Sequence, residues 1–344
     1  MKPNFPLDNL IMKACPSIIF RVKHELLCQP PDTEEMVDIQ SKILLDPLVK
    51  KIIDSQTDNG WLGPRFHGYD SLESGIRILV EKGVSFKHPA LIHAMNALDR
   101  DTDRIAKDLG SFAQYFDENR LGGARMIQAW LLSIGGHCDH PLVLEQVDVA
   151  LEGMKSIIDI KTFSDATEFH RNKLIFKPGL KWPGIYHLRI LAYTRAWRSA
   201  ENINMVAEAI TKLAQFSPMP YALVRNRSQL IAPAAFAMLD LNPFLPNLDS
   251  PGWMMWFHRT ELLARMGVAH RIDLISRQIT YLQEILTQNG YNFTIPLDHV
   301  YFKHWGAYTG LMLEPNWRNF TSRINDFTFR SHLILNHFYT HKDQ

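Results

Sequence analysis

Side chains able to do chemistry concentrate in three stretches of the chain. The first, Lys181 to Arg189, supplies Trp182, Tyr186, His187 and Arg189, with Tyr186 and Arg189 spaced to share one helix face. The second supplies Trp253, Trp256, His258, Arg259 and Glu261, and the third His299, Tyr301, His304, Trp305 and Tyr308. A histidine near neutral pH donates or accepts a proton, and aromatic faces stabilise cations or stack on sugar rings. His187, His258 and Glu261 are therefore candidate catalytic groups. Trp182, Tyr186, Arg189, Trp256, Arg259, His304, Trp305 and Tyr308 are candidate ligand contacts. The loop Trp61 to Asp70 adds Trp61, His67 and Tyr69, and runs into Asp70-Ser71-Leu72-Glu73. Two carboxylates at that spacing lie on one face, and a buried pair with separated pKa values does acid–base work, which adds Asp70 to the catalytic candidates. The same letters describe a capping box, with Asp70 as cap and Glu73 reaching back.

Other chemistries find no support in the sequence. His137-Cys138-Asp139-His140 is dense in potential ligands, but so short a run rarely brings more than two side chains to one ion, and Asp139 is placed to cap the next helix. No metal site and no cofactor is expected. The chain has no Gly-x-Ser-x-Gly elbow, Walker loop, His-Glu-x-x-His or dinucleotide glycine triplet. Leu121-Gly122-Gly123-Ala124-Arg125 is read as a turn.

The elements that must position these groups are helical. An apolar stretch, a glycine break, a short polar turn and a second apolar stretch recur around Gly83, Gly135-Gly136 and Gly267, with a weaker copy at Leu191 to Ala207 that lacks the glycine. Glycine supplies the left-handed residue that ends a helix, and proline in the first turn of the next forfeits only an amide without a partner. Apolar residues recur at helical spacing in the second member of each pair, as in Val143, Val147, Leu151 and Met154. Strand signals are scarce. Longer loops rich in aromatic, His, Arg and Gly residues intervene: Trp61 to Asp70, Tyr115 to Arg125, Lys161 to His187, Pro218 to Gln229, Asp249 to His258 and Tyr291 to Tyr308. If one end of a ring of helical hairpins carries them, they converge on a shared mouth.

Composition limits the function classes. Apolar residues make up 46% and charged residues 21% of 344, the balance of a folded globular chain rather than a fibre, a disordered tail or a membrane bundle. A formal charge of +1 provides no global field toward nucleic acid or anionic lipid, so neither is an expected partner. The longest apolar run, Leu230 to Leu245, is broken by Pro233, Asp240 and Pro243, and no membrane span is expected. Cys15, Cys28 and Cys138 are too few for a disulfide framework. With Pro3, Pro6 and Asp8 breaking any signal-peptide core, a cytoplasmic protein is expected.

Gln56-Thr57-Asp58-Asn59-Gly60-Trp61-Leu62-Gly63 follows the apolar helix from Pro47, and Gln288-Asn289-Gly290-Tyr291 echoes it. This segment resembles the repeat of prenyltransferase β subunits and of squalene and terpene cyclases, with Asn59 in place of a glycine. The Gln amide is suited to bond loop backbone, Asn-Gly to supply left-handed residues, and the aromatic to cover the helix end. The resemblance implies an all-α fold, an α/α toroid of helical hairpins around a central cavity over residues 41–340, with an N-terminal arm of residues 1–40 packed on it. It further implies a small apolar or isoprenoid ligand in an aromatic-lined central cavity. The catalytic signatures of those families do not carry over: no Asp-x-Asp-Asp occurs, Asp99, Asp101 and Asp103 alternate instead, and no cysteine segment matches the prenyltransferase zinc site. A carbohydrate-active hydrolase or lyase on a helical toroid, and a non-catalytic ligand- or partner-binding protein, are the alternatives.

Overall fold

A computed structural model describes residues 6–298, 300 and 312–342. The described chain is mostly helical, and it divides into two compact units. The first comprises Met1–Asp101, Asp249–Glu261 and Arg277–Gln344, and the second Thr102–Leu248 and Leu262–Ser276.

In the first unit the N-terminal helices Asp8–Lys13 and Pro16–Arg21 lie on the C-terminal helix Phe320–Lys342. Leu7, Leu10, Ile18, Val22 and Leu26 bury their side chains with Leu313, Phe329 and Leu333. Removing such side chains from water supplies the main favourable free energy of the contact. A second core is aromatic: Trp253, Trp256, Phe257, Phe293 and Phe327 meet at centroid separations of 4.9–5.9 Å, several of them edge to face. Asp326 is fully buried beside this core and accepts hydrogen bonds from the Leu313 and Glu314 amides and from Trp317 Nε1, at 2.9, 3.0 and 2.6 Å.

In the second unit the helix Ala124–Ile134 is buried on nearly every face, and it packs on Pro141–Lys155 and Ile185–Tyr193. Ile185–Tyr193 is buried from Ile185 through Ala192. Helices without a polar face belong inside a fold, and these two form the centre of the unit.

The helix joints read from glycine and proline are present in both units. Gly83, at φ +86°, ends the helix Leu72–Lys82, and Pro89 opens Pro89–Arg100. Gly136, at φ +89°, precedes Pro141–Lys155, and Gly267, at φ +81°, precedes the short 3-10 turn Ala269–Arg271. The cap at the second joint differs from expectation. His140 Nδ1 accepts the Leu142 amide at 3.2 Å, so the imidazole performs the task assigned to Asp139. His88 does the same for Ala90 at 3.3 Å. Asp70 and Glu73 are likewise not a capping pair: Ser71 is the N-cap, exchanging hydrogen bonds with Ser74.

The chain is mostly helical, as expected, and it also carries two short hairpins. Thr167–His170 pairs antiparallel with Lys173–Phe176, and Val224–Asn226 with Gln229–Ile231. Positive φ angles at Arg171, Asn172 and Arg227 make the turns, conformations usually announced by glycine. Leu223 joins the hairpins, donating to Leu174 O at 3.0 Å and accepting from Phe176 N at 2.9 Å.

The Gln56–Gly63 turn is built as its chemistry dictates. Gln56 Nε2 donates to Gly60 O at 3.0 Å and Ala90 O at 2.8 Å. Gly60 lies at φ +93°, where a Cβ would sit 2.5 Å from the His93 carbonyl oxygen. Gly68, at φ +115°, has open space around the same position. Gly60→Ala therefore combines backbone strain with a clash and is expected to cost about 2–4 kcal/mol, against about 1–2 for Gly68→Ala, where strain acts alone. Thermal unfolding of the two variants measures the difference, and equal losses would remove the close-approach argument.

Candidate functional site

Three segments far apart in sequence close around a cavity of about 310 Å³ within the second unit. They are the end of helix Ser111–Glu118 with the following turn, the stretch from Phe176 to His187, and the second hairpin with Pro233 to Ala235. Buried Phe116, Pro183, Gly184, Tyr186 and His187 form its floor, and exposed Lys177, Arg225 and Arg227 stand at its rim.

His187 is the polar group of the floor. The Gly184 amide donates to Nδ1 at 3.1 Å, so Nδ1 carries no proton and the neutral ring bears its hydrogen on Nε2. Nε2 has no hydrogen-bond partner among the described residues and offers a donor to whatever enters. Burial lowers the His187 pKa to about 4. Two glycines hold the ring. A Cβ at Gly122, which lies at φ +78°, would meet His187 Cε1 at 2.7 Å, and one at Gly153 would meet Cδ2 at 3.1 Å.

One wall is aromatic. Trp182 stacks on Phe176 with centroids 5.0 Å apart and on Phe216 at 6.4 Å, and Phe163 meets it edge to face at 5.5 Å. Behind Tyr186, the buried Arg189 guanidinium lies over three rings, Trp130 at 4.4 Å, Tyr186 at 4.7 Å and Phe236 at 5.4 Å. Such a cage substitutes ring quadrupoles for part of the lost hydration.

Polar ties fix the segments to one another. Glu152 accepts two hydrogen bonds from Arg120, at 2.8 and 2.9 Å, and one from Lys181 at 2.5 Å. The Arg120 bond, helped by Lys181, holds the Glu152 carboxyl down to about 2. Tyr115 Oη donates to the Arg225 carbonyl at 3.1 Å, tying the first segment to the third. Asp117 accepts the Gly123 and Arg125 amides at 3.1 and 3.2 Å. Its carboxylate thus occupies the start of helix Ala124–Ile134, where the Gly122-Gly123 turn would otherwise suit an external anion. Burial raises the Asp117 pKa to about 6, against those amide bonds.

Of the residues singled out in the sequence, Trp182, Tyr186 and His187 line this cavity, and Arg189 lies behind it. His304, Trp305 and Tyr308, with His299 and Tyr301, lie outside the described residues. The remaining candidates belong to the first unit and do not line it. Trp61 is fully buried, its Nε1 donating to Asp101 at 2.7 Å, and Trp256 is fully buried, donating to Gln278 at 2.8 Å. Both indoles are core. Asp70 is exposed and pairs with Lys51 at 3.2 Å. Tyr69 is exposed, and His67 pairs with the buried Glu73. Glu261 is buried and held by Arg330 at 2.6 Å, with Glu81 3.4 Å from the same guanidinium. It serves as a counter-ion, not a free carboxyl. Arg259 is buried and His258 half-buried on that helix. Among the described residues no group of three or more His, Cys, Asp or Glu, the run His137 to His140 included, is placed to hold a metal.

Sequence reasoning missed Tyr115, Phe116, Gly122, Phe176, Lys177, Arg225 and Arg227 as individual site residues. Three of the six loops marked for their aromatic and basic content do meet at this cavity. Those three were distinguishable only by the hairpins that fold two of them back, and the hairpin turns carry Arg-Asn and Arg-Ser instead of glycine.

The depressed His187 pKa carries a sign. An unfolded histidine takes its proton near pH 6.5, the folded one only near 4. The unfolded state binds more protons between these values, so this group's contribution to stability is complete above about 6.5 and falls as the pH drops toward 4. Asp117, raised to about 6, acts oppositely over its own window, gaining stability as the pH falls from 6 toward its unfolded value. Denaturant unfolding of wild type and His187→Gln across this range is expected to show a shallower acid loss in the variant, and the His187 ring resonances to titrate below pH 5. A ring midpoint near 6.5 would contradict the burial argument. Comparison of the chain with protein-family models, curated proteins and solved structures finds no match.

Proposed function

We propose that this chain is a binding protein for a small ligand with an apolar body and an anionic group, seated in the cavity of the second unit. Isoprenoid diphosphates are the class favoured by the resemblance of Gln56–Gly63 to the prenyltransferase and terpene-cyclase repeat. The α/α toroid belongs to the same proposal, supported by the glycine-ended helix pairs in both units. No reaction is assigned.

The observation that carries this reading is the composition of the lining. Phe116, Phe176, Trp182 and Tyr186 supply apolar surface, His187 supplies a donor, and Lys177, Arg225 and Arg227 supply positive charge that no carboxylate pairs within 4.0 Å among the described residues. No Asp or Glu is among the described residues lining the cavity. A glycosidase places two carboxylates about its substrate, and a neutral imidazole with a depressed pKa is a weak base, so the lining favours retention of a ligand over the carbohydrate-hydrolase alternative.

Isothermal titration with farnesyl diphosphate, farnesol and inorganic pyrophosphate tests the proposal. The diphosphate ester is expected to bind about tenfold or more tightly than either half, and Arg225→Glu with Arg227→Glu to weaken it by a similar factor, since a charge-assisted hydrogen bond is worth about 1.5–3 kcal/mol. Tyr186→Ala is expected to weaken ester and alcohol alike. Absence of saturable binding by any of the three, or indifference to the rim substitutions, would overturn the reading.

A further inference from the structure

We propose that the two hairpins of the second unit form a docking surface for an anionic lipid bilayer, with Phe169 as the inserted side chain. Phe169 is 80% exposed, the most exposed of the large apolar side chains among the described residues. It lies on the outer strand of the first hairpin, two residues short of the turn at Arg171-Asn172. The strand that carries it pairs with a neighbour on one side only among the described residues, which leaves its outer edge open.

The register shows where the ring points relative to the cavity. Thr167 pairs with Phe176, and Phe169 with Leu174. Directly paired residues share a face and alternate residues return to it, so Phe169, Leu174 and the cavity-lining Phe176 project from the same side of the hairpin. Phe169 stands about 7 Å further along the strand than Phe176, two residues at about 3.3 Å each. The exposed ring therefore continues the cavity wall outward.

Charge selects the partner. Between Thr167 and Lys177 and between Val224 and Ile231 the chain carries Arg171, Lys173, Lys177, Arg225 and Arg227 against the single acid Glu168. All five cations are exposed, and none has an ion pair among the described residues. Asp165, held by Thr162, reaches Lys177 through its field. The formal charge of +1 for the whole chain thus conceals a local excess. Tyr221, 48% exposed beside the second hairpin, suits the headgroup level, where amphipathic rings concentrate. One exposed phenylalanine flanked by cations fits insertion below anionic headgroups, whereas a single-stranded polynucleotide uses a series of stacking rings. The choice of bilayer over polynucleotide rests in part on the cavity reading, since an amphipathic anion partitions into membranes. Docking itself requires no occupant of the cavity.

Co-sedimentation of the full chain with phosphatidylcholine vesicles, with and without phosphatidylserine and free of isoprenoid, is the test. Binding is expected with phosphatidylserine only, and to weaken with salt. Each cation removed is expected to cost about fivefold, so Arg171→Glu with Lys173→Glu weakens binding by about 25-fold or more. Phe169→Ser is expected to cost about tenfold, and Phe169→Trp to add an emission component quenched by brominated lipid. These positions lie outside the cavity lining, and circular dichroism checks that each variant is folded. No vesicle binding, binding unaffected by both sets of substitutions, or tighter binding to a single-stranded oligonucleotide than to vesicles would overturn the proposal. Failure of farnesyl diphosphate to bind in solution would remove the cavity reading and leave vesicle docking to be judged on its own result.

Discussion

The seat of the His187 ring governs the geometry of the candidate site. Gly122 belongs to the turn after Ser111–Glu118 and Gly153 to the helix Pro141–Lys155; a Cβ at Gly122 would fall 2.7 Å from the imidazole, and one at Gly153 would fit only tightly, at 3.1 Å. The contact joins three elements through one planar group. It leaves the ring desolvated, and desolvation keeps it neutral, with its single proton on the nitrogen away from Gly184. A methyl group at either glycine would force the ring, the helix or the turn to move. Glu152, the residue before Gly153, binds Arg120 of that turn and Lys181 of the segment leading to His187. The same helix thus fixes the ring by shape and its neighbours by charge.

Buried arginines of the two units meet carboxylates and aromatic rings. In the first, Glu261 and Glu81 meet Arg330, and burial raises the Glu81 pKa against its arginine neighbours. Such pairs return little net stability but are costly to break singly. In the second, Arg189 is held by aromatic rings, and the cations at the cavity rim remain in solvent. A carboxyl engaged by arginine inside a core is a structural group, whereas a cation left at the lip of an apolar hollow is available to a ligand.

Helix pairs were legible in the sequence because glycine and proline act locally: Gly83 and Pro89, or Gly136 and Pro141, punctuate the chain whatever surrounds them. The turn Gln56–Gly63 was legible for the same reason. The hairpins were not, since Arg171, Asn172 and Arg227 adopt left-handed backbone that their side chains do not announce. Nor was the division of labour among aromatic residues. Trp61, Trp182 and Trp256 look alike in a sequence, but two are sealed in cores and one borders the cavity. Burial depends on contacts between distant segments, and no local pattern reports it. The arginine that holds Glu261, Arg330, lies 69 residues away, beyond the reach of any local pattern.

The cavity draws its lining from Tyr115 at one extreme and Ala235 at the other. Contacts of such long sequence separation form after local helices, because the loop between them must first lose its freedom. The hollow is therefore among the later features of this unit to be completed, and without the second hairpin it lacks one of its three walls. Occupancy would in turn favour the finished form over every incomplete one by mass action. Trp182, stacked where the strand and helix segments meet, is placed to signal optically when that closure has taken place.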